Sequence, residues 1–211
     1  MNSSLFRPPA EADSLILQTD QGCPYNHCSF CGMYKGMPYR KLSVAEVKTL
    51  VAYESRHNRE GRRIFLADGD VMRRPFDELA AILDALNKEF PKLARVNVYA
   101  TGSGIADKTD DELRRLRELK LHTLYMGLES GDEETLRHMR KGESAVEMVL
   151  AGRRAQSCGL HMSVMVLLGL GGKKRVAEHA QATAVALNLM QPCWRRSESV
   201  QFSPVNSVQS A

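Results

Sequence analysis

Cys23, Cys28 and Cys31 put three thiols into the nine-residue run Cys23-Pro24-Tyr25-Asn26-His27-Cys28-Ser29-Phe30-Cys31. A disulfide between any two would strand the third, whereas all three can converge on one metal centre. An iron–sulfur cubane takes four ligands, so three thiolates leave one iron open, and an open position separates a catalytic metal site from a closed structural one. Zinc is the rival, with His27 completing a Cys3His set, although neighbours such as His27 and Cys28 rarely point at one ion. The spacing favours iron–sulfur over zinc. Pro24, Asn26 and Ser29 mark a loop, which argues against three core cysteines. Gly32 and Gly36 supply backbone that can approach a cluster closely.

Three further constellations could do chemistry. Asp68-Gly69-Asp70 could hold a cationic amine with carboxylates and backbone groups, or could simply end a strand; the residues alone favour the turn. In Gly127-Leu128-Glu129-Ser130-Gly131, Glu129 and Ser130 could grip ribose hydroxyls, or Ser130 with Glu133 could cap the next helix, and both readings stay open. Gly169-Leu170-Gly171-Gly172-Lys173-Lys174 fails as a Walker loop at Leu167 and Lys174 and as a dinucleotide fingerprint at Lys174. It remains a glycine turn that lets something flat approach the backbone. Met126, Met148, Met162 and Met165 read as core filler, and Cys158, near a helix end, as a small buried hydrophobe.

The elements that must position these groups alternate. Strand-like runs cover residues 15–19, 63–67, 95–100, 123–128 and 161–168. Helical patterns cover 44–60, 76–90, 109–120, roughly 144–158 and 174–189, three of them opening with the capping boxes Ser43/Glu46, Thr109/Glu112 and Ser144/Glu147. Five β-then-α units imply a parallel sheet, either doubly wound or a closed or partial barrel. Each reactive group follows a strand, where both architectures build their sites. After Asn188 the pattern changes, and an alternation over 200–203 is the last strand signal, so the fifth strand is expected to face a missing or poorly formed neighbour. The expected division is an extension over 1–13, a core domain over 14–189 and an atypical tail over 190–211 that holds Cys193.

Bulk properties fit one α/β domain. The chain has 211 residues, 43% hydrophobic and 26% charged, with a net charge of +4 spread along it. That charge permits a nucleic-acid partner without arguing for one. The N-terminus lacks a signal-peptide core and the apolar run over 164–170 is too short for a membrane span, so a cytoplasmic protein without membrane partners is expected.

Taken in order, the cysteine run with Gly22, Gly32, Met33 and Tyr34, the stretch Phe65-Leu66-Ala67-Asp68-Gly69-Asp70, the stretch from Tyr125 to Gly131 and that from Val166 to Gly172 resemble the radical S-adenosylmethionine (radical SAM) superfamily. Within it the chain is similar to a subgroup of Fe–S oxidoreductases related to the MiaB and NifB type; Cys23 and Cys28 enclose four residues, as that subgroup's pattern does, where the commonest radical SAM spacing has three. The resemblance runs over about 15–189. It implies a partial (β/α) TIM-like barrel in which Cys23, Cys28 and Cys31 ligate a [4Fe–4S] cluster and SAM fills the open iron. Phe30 would pack near the adenine, and Asp68, Gly69 and Asp70 would hold the methionyl amine. Glu129 and Ser130 would face the ribose, and Gly169 and Gly171 would line the adenine pocket. The implied reaction is reductive cleavage of SAM to a 5′-deoxyadenosyl radical that abstracts hydrogen from a substrate the sequence does not disclose. A flavodoxin or ferredoxin would supply the electron, and the MiaB likeness hints at RNA. The family's barrel has a sixth β/α unit that the sequence after Leu189 does not resemble, so an altered C-terminal end is expected.

Overall fold

The computed structural model describes residues 6–191 and 200–204. The expectations placed on Cys193, the rest of the tail and the first five residues lie outside the described residues. In chain order the elements are β1 (Leu15–Gln18), β2 (Asp20–Gln21), β3 (Arg40–Lys41), α1 (Val44–His57), β4 (Arg63–Ala67), α2 (Phe76–Glu89), β5 (Arg95–Tyr99) and α3 (Gly102–Ala106). They continue as α4 (Asp110–Glu118), β6 (Leu121–Glu129), α5 (Glu133–His138), α6 (Ala145–Ser157), β7 (His161–Leu168), α7 (Val176–Met190) and β8 (Val200–Pro204).

Six strands form one parallel sheet in the order β1-β4-β5-β6-β7-β8. Each new strand adds beside the last, whereas a doubly wound sheet reverses order at a switch point. Monotonic order is the winding of a β/α barrel, here left open because β1 and β8 are the two ends of the sheet. The fifth predicted strand, β7, is not the edge the sequence suggests. Val164 to Leu168 pair in parallel with Val200 to Pro204. Ladder pairing needs only backbone donors and acceptors, so a short alternating segment suffices without family-like sequence.

The two faces of the sheet differ because side chains alternate along each strand. Leu17, Ile64, Leu66, Val96, Val98, Leu124, Met126, Met162, Val164 and Val166 point outward into one apolar core with α1, α2, α4, α6 and α7. Cys158 is buried in this core, as are Met126, Met148 and Met162. The inner face carries Phe65, Tyr99 and Tyr125, packed edge to face with centroids 5.0–6.4 Å apart. Glu11, from the stretch expected to be an extension, is buried against this face. It accepts hydrogen bonds from Ser14, Asn97 and Tyr125.

All three predicted capping boxes form, at Ser43, Thr109 and Ser144. The alternative cap at Ser130 does not, because α5 is capped by Asp132, which accepts from Thr135.

Candidate metal centre

The cysteines sit on the long loop between β2 and β3, which pair as a short antiparallel clasp (Asp20 opposite Lys41, Gln21 opposite Arg40). Arg74 locks this clasp. Its guanidinium, fully buried, grips Asp20 through two bonds of 2.9 and 3.1 Å and donates to the carbonyls of Thr19 and Leu42. Glu78 takes a further bond at 3.1 Å. Burying two charges is costly, and this density of hydrogen bonds offsets it.

Inside the clasp the loop is held by polar tethers. The Asn26 amide donates to the Tyr34 carbonyl at 2.8 Å, and Ser29 N–H to the Met139 carbonyl at 2.9 Å. Tyr25 donates to the Arg140 carbonyl at 2.9 Å, and its ring lies where a side chain on Gly142 would collide. His27 is exposed and stands edge-on to Tyr25, with centroids 5.3 Å apart. Gly22 and Gly69 both have positive φ, and a Cβ on Gly69 would strike the Gly22 carbonyl oxygen. The loops after the first two long strands therefore touch backbone to backbone, a contact only glycine permits.

Cys23, Cys28 and Cys31 are all unpaired and all partly exposed. Burial pushes the Cys28 thiol up, Lys141 opposes that, and Cys31, Cys23 and Glu129 push it further up. These five groups share one space at the C-terminal end of the sheet. Glu129 is also raised by burial and opposed only by Lys141. Its backbone lies at φ 64°, an uncommon conformation for a non-glycine residue, where the β6–β7 register shifts. Asp68 accepts from Gln18 at 2.7 Å and from Tyr34 at 3.4 Å, and burial raises its pKa. Burial likewise holds the Tyr34 phenol well above its usual range.

Other predicted site residues have their polar groups engaged by the protein. The Asp70 carboxyl bonds the Thr101 hydroxyl and, at 3.2 Å, its N–H. Burial lifts Asp70 to about 6. Ser130 is fully buried, bonding His179 Nδ1 at 2.8 Å and accepting from Asp132 N–H. Gly171 packs against Arg175 and His179 at the start of α7, where a Cβ would collide. Gly169 has φ 85° and open space before it, and Phe30 is partly exposed on the cysteine loop. Sequence reasoning missed Lys141, Tyr34 as a partner of Asp68, and the Arg74 clasp. None carries a local signal, because each acts across a long stretch of chain.

A resident cluster can be tested against these residues. Among the described residues no three Cys, His, Asp or Glu side chains meet closely enough to hold a single ion. A cubane makes no such demand, since each thiolate binds a different iron. Three free thiols on a glycine-bearing loop, with open space before Gly32 and Gly36, fit such a group. A groove of about 710 Å³ lies elsewhere, between α6 and α7 on the outer surface.

Residues 18–181 match the radical SAM superfamily. The chain belongs to that superfamily. Its sheet is similar to that of the cobalamin-dependent S-adenosylmethionine radical enzyme OxsB (19% identity, TM-score 0.64, 82% of this chain and 26% of that one). Methylornithine synthase PylB gives 18% identity and a TM-score of 0.64, over 91% of this chain and 53% of that one. Coproporphyrinogen III oxidase HemN from Escherichia coli gives 14% and 0.65, over 91% and 44%. This radical SAM chain thus spans about a quarter to a half of the length of those proteins. No curated protein matches it. The superfamily implies a [4Fe–4S] cluster and SAM. Among the described residues no helix is long and apolar enough to cross a membrane.

Proposed function

We propose that the chain is a radical SAM enzyme, an oxidoreductase acting on a substrate yet to be identified. The observation that carries this reading is the shared space of three free thiols, Glu129 and Lys141 on the strand ends of a β/α sheet. Cys23, Cys28 and Cys31 would hold three irons of a [4Fe–4S] cluster, leaving the fourth for the amino and carboxylate groups of SAM. The chemistry this pair supplies is one-electron cleavage of SAM to a 5′-deoxyadenosyl radical that abstracts a substrate hydrogen.

The protein's own residues bind, orient and exclude water. Lys141, whose charge reaches both Cys28 and Glu129, would meet the SAM carboxylate. Glu129 would accept from the ribose hydroxyls, and Phe30 and Gly169 would flank the adenine. Asp68 and Gly69 would face the methionyl amine, with the Asp68 carboxylate accepting from it. Asp70, Ser130 and Gly171 would support these groups from behind, through Thr101, His179 and α7. Placement in the cytoplasm and reduction by a flavodoxin or ferredoxin complete the reading.

The test is electron paramagnetic resonance on anaerobically reconstituted, reduced protein, with and without SAM. A [4Fe–4S] signal that changes on adding SAM supports the reading. A signal indifferent to SAM makes the chain an electron carrier, and absence of any cluster signal sends the thiols back to zinc.

A further inference from the structure

The cysteine loop and the turn beneath it carry exposed cations that the cluster site does not use. Lys35 Nζ donates to the Ser29 carbonyl at 3.3 Å, and Ser29, between Cys28 and Cys31, donates its N–H to the Met139 carbonyl. Tyr25 bonds the next carbonyl, that of Arg140, and its ring packs against Gly142. Arg137 sits in the last turn of α5 and Arg140 two residues beyond its end, where the Arg140 N–H bonds the Arg137 carbonyl at 3.0 Å. Lys35, Arg137 and Arg140 are all exposed, as is His27. The same loop exposes three large apolar side chains, Tyr25, Met33 and Tyr39. Printed contacts thus join loop and turn into one surface, apolar at its centre and cationic at its margin.

The carboxylates along this surface are committed elsewhere. Residues 22–39 contain no Asp or Glu. Asp132 and Glu134 both pair with Arg175, each at 2.8 Å. Glu133 accepts from the N–H groups of Ala145 and Val146 at the start of α6, and Glu143 from those of Gly102 and Ser103. Glu129 lies toward the thiols and Lys141. The ion pairs among the described residues leave out Lys35, Arg137 and Arg140. Outside the described residues the sequence holds one acidic side chain, Glu198, two positions before β8 begins at the far end of the sheet.

We infer that this surface docks a small acidic protein that carries one electron. The inference rests on the proposed reading, in which an electron must reach the cysteine loop from outside the chain. The step moves that electron alone: the carrier is oxidised by one electron, the cluster is reduced by one, and no atom changes hands. A carrier seated on Lys35 and Arg140 meets Ser29, one residue from Cys28 and two from Cys31, so it arrives against the ligand loop itself. Exposed tyrosines and a methionine with cations around them suit a brief encounter. Electron-transfer interfaces are the small ones, below about 1,200 Å², and opposite charge speeds and orients them. The cations form a compact patch, whereas a nucleic acid is tracked by a stripe or groove of them.

The experiment uses the reconstituted full chain with an acidic flavodoxin as probe. Binding is read by calorimetry and cluster reduction by stopped-flow absorbance, with dithionite at high salt as the reductant that needs no docking surface. Flavodoxin affinity should fall as salt rises towards ~1 M, where charges are screened beyond about 3 Å. The double variant Arg137→Glu/Arg140→Glu should bind flavodoxin about tenfold more weakly or worse, since like charges would then face across the contact. Its reduction by flavodoxin should slow to match. Reduction by dithionite, and the change that SAM causes in the electron paramagnetic resonance signal, should stay as in the wild type. An affinity indifferent to salt, or unchanged in the variant, would overturn the assignment. So would a short single-stranded RNA that binds where flavodoxin does not and loses affinity in the variant, which would make this a nucleic-acid surface. A normal dithionite-reduced signal without flavodoxin binding overturns the docking alone; no cluster signal at all overturns the cluster reading and the docking with it. Should the double variant fail to fold, Lys35→Glu and the wild-type salt series decide.

Discussion

The cysteine loop and the outer helical layer are built on opposite principles. The helices bury apolar stripes against the sheet and start on their own capping boxes, so each is stabilised by residues within a few positions and by non-directional packing. The loop from 22 to 39 has little apolar interior of its own. It is held by directional bonds to distant residues: Arg74 on the clasp, Met139 and Arg140 beneath it, and Gly69 against Gly22. Packing tolerates substitution by volume, whereas a polar tether fails when one partner is removed. A loop held by tethers keeps its thiols accessible, which a packed one would not.

The sharpest break of this contrast is predicted at the thiols. Cys28→Ala should abolish the brown cluster chromophore with the fold intact; normal iron and sulfide content in that variant would remove Cys28 from the ligand set. Next comes Arg74→Met, which leaves Asp20 buried without its partner. Loss of one member of a buried pair costs about 3–5 kcal/mol. Urea unfolding should show that loss, together with poorer cluster loading, and an unchanged midpoint would mean the clasp is dispensable.

Glu129→Ala should keep the cluster and weaken SAM binding about tenfold, a charged hydrogen bond's worth; equal affinity by calorimetry would take Glu129 out of the pocket. The acids then separate by pH. Asp70, raised to about 6 from 3.8, takes up a proton more readily when folded, so its contribution to stability grows as pH falls from 6 towards 4. Asp132 is held far below its usual range by the hydrogen-bonded Arg175, so its contribution is full above 3.8 and is lost as pH falls below that. Asp70→Asn should flatten the first window and leave the second; chemical unfolding across pH 3–7 reads both. The smallest effect belongs to the helical layer. Ser144→Ala should cost about 1 kcal/mol, the usual loss of an N-cap, without changing cluster content.

Much of the layer and part of the site were legible in the residues. Ser43, Thr109 and Ser144 announced their helices because capping is a three-residue interaction, and the strands were legible because alternation has a period of two. That Cys23, Cys28 and Cys31 share one loop as free thiols was legible because they fall within nine residues marked by Pro24, Asn26 and Ser29. The bond between Ser130 and His179 on α7 was not, since it spans distant residues, and β8 was read only as a short alternation because its pairing lies in the backbone. The barrel-like strand order also stayed open, because an alternating series of strands and helices fits both windings.

By itself, then, the sequence determined the alternation of elements, the starts of three helices and the gathering of three thiols on one loop, all set by neighbours within a turn or a strand. Only the tertiary structure decided that the strands wind in one direction, that Glu11 fills the inner face and that Arg74 closes the clasp. It alone set Glu129 and Lys141 beside the cysteines and, among the described residues, left the buried Nε of Arg95 without a hydrogen-bond partner. Those facts depend on which distant residues meet, and a meeting across many tens of residues follows from the whole fold, with no local pattern to announce it.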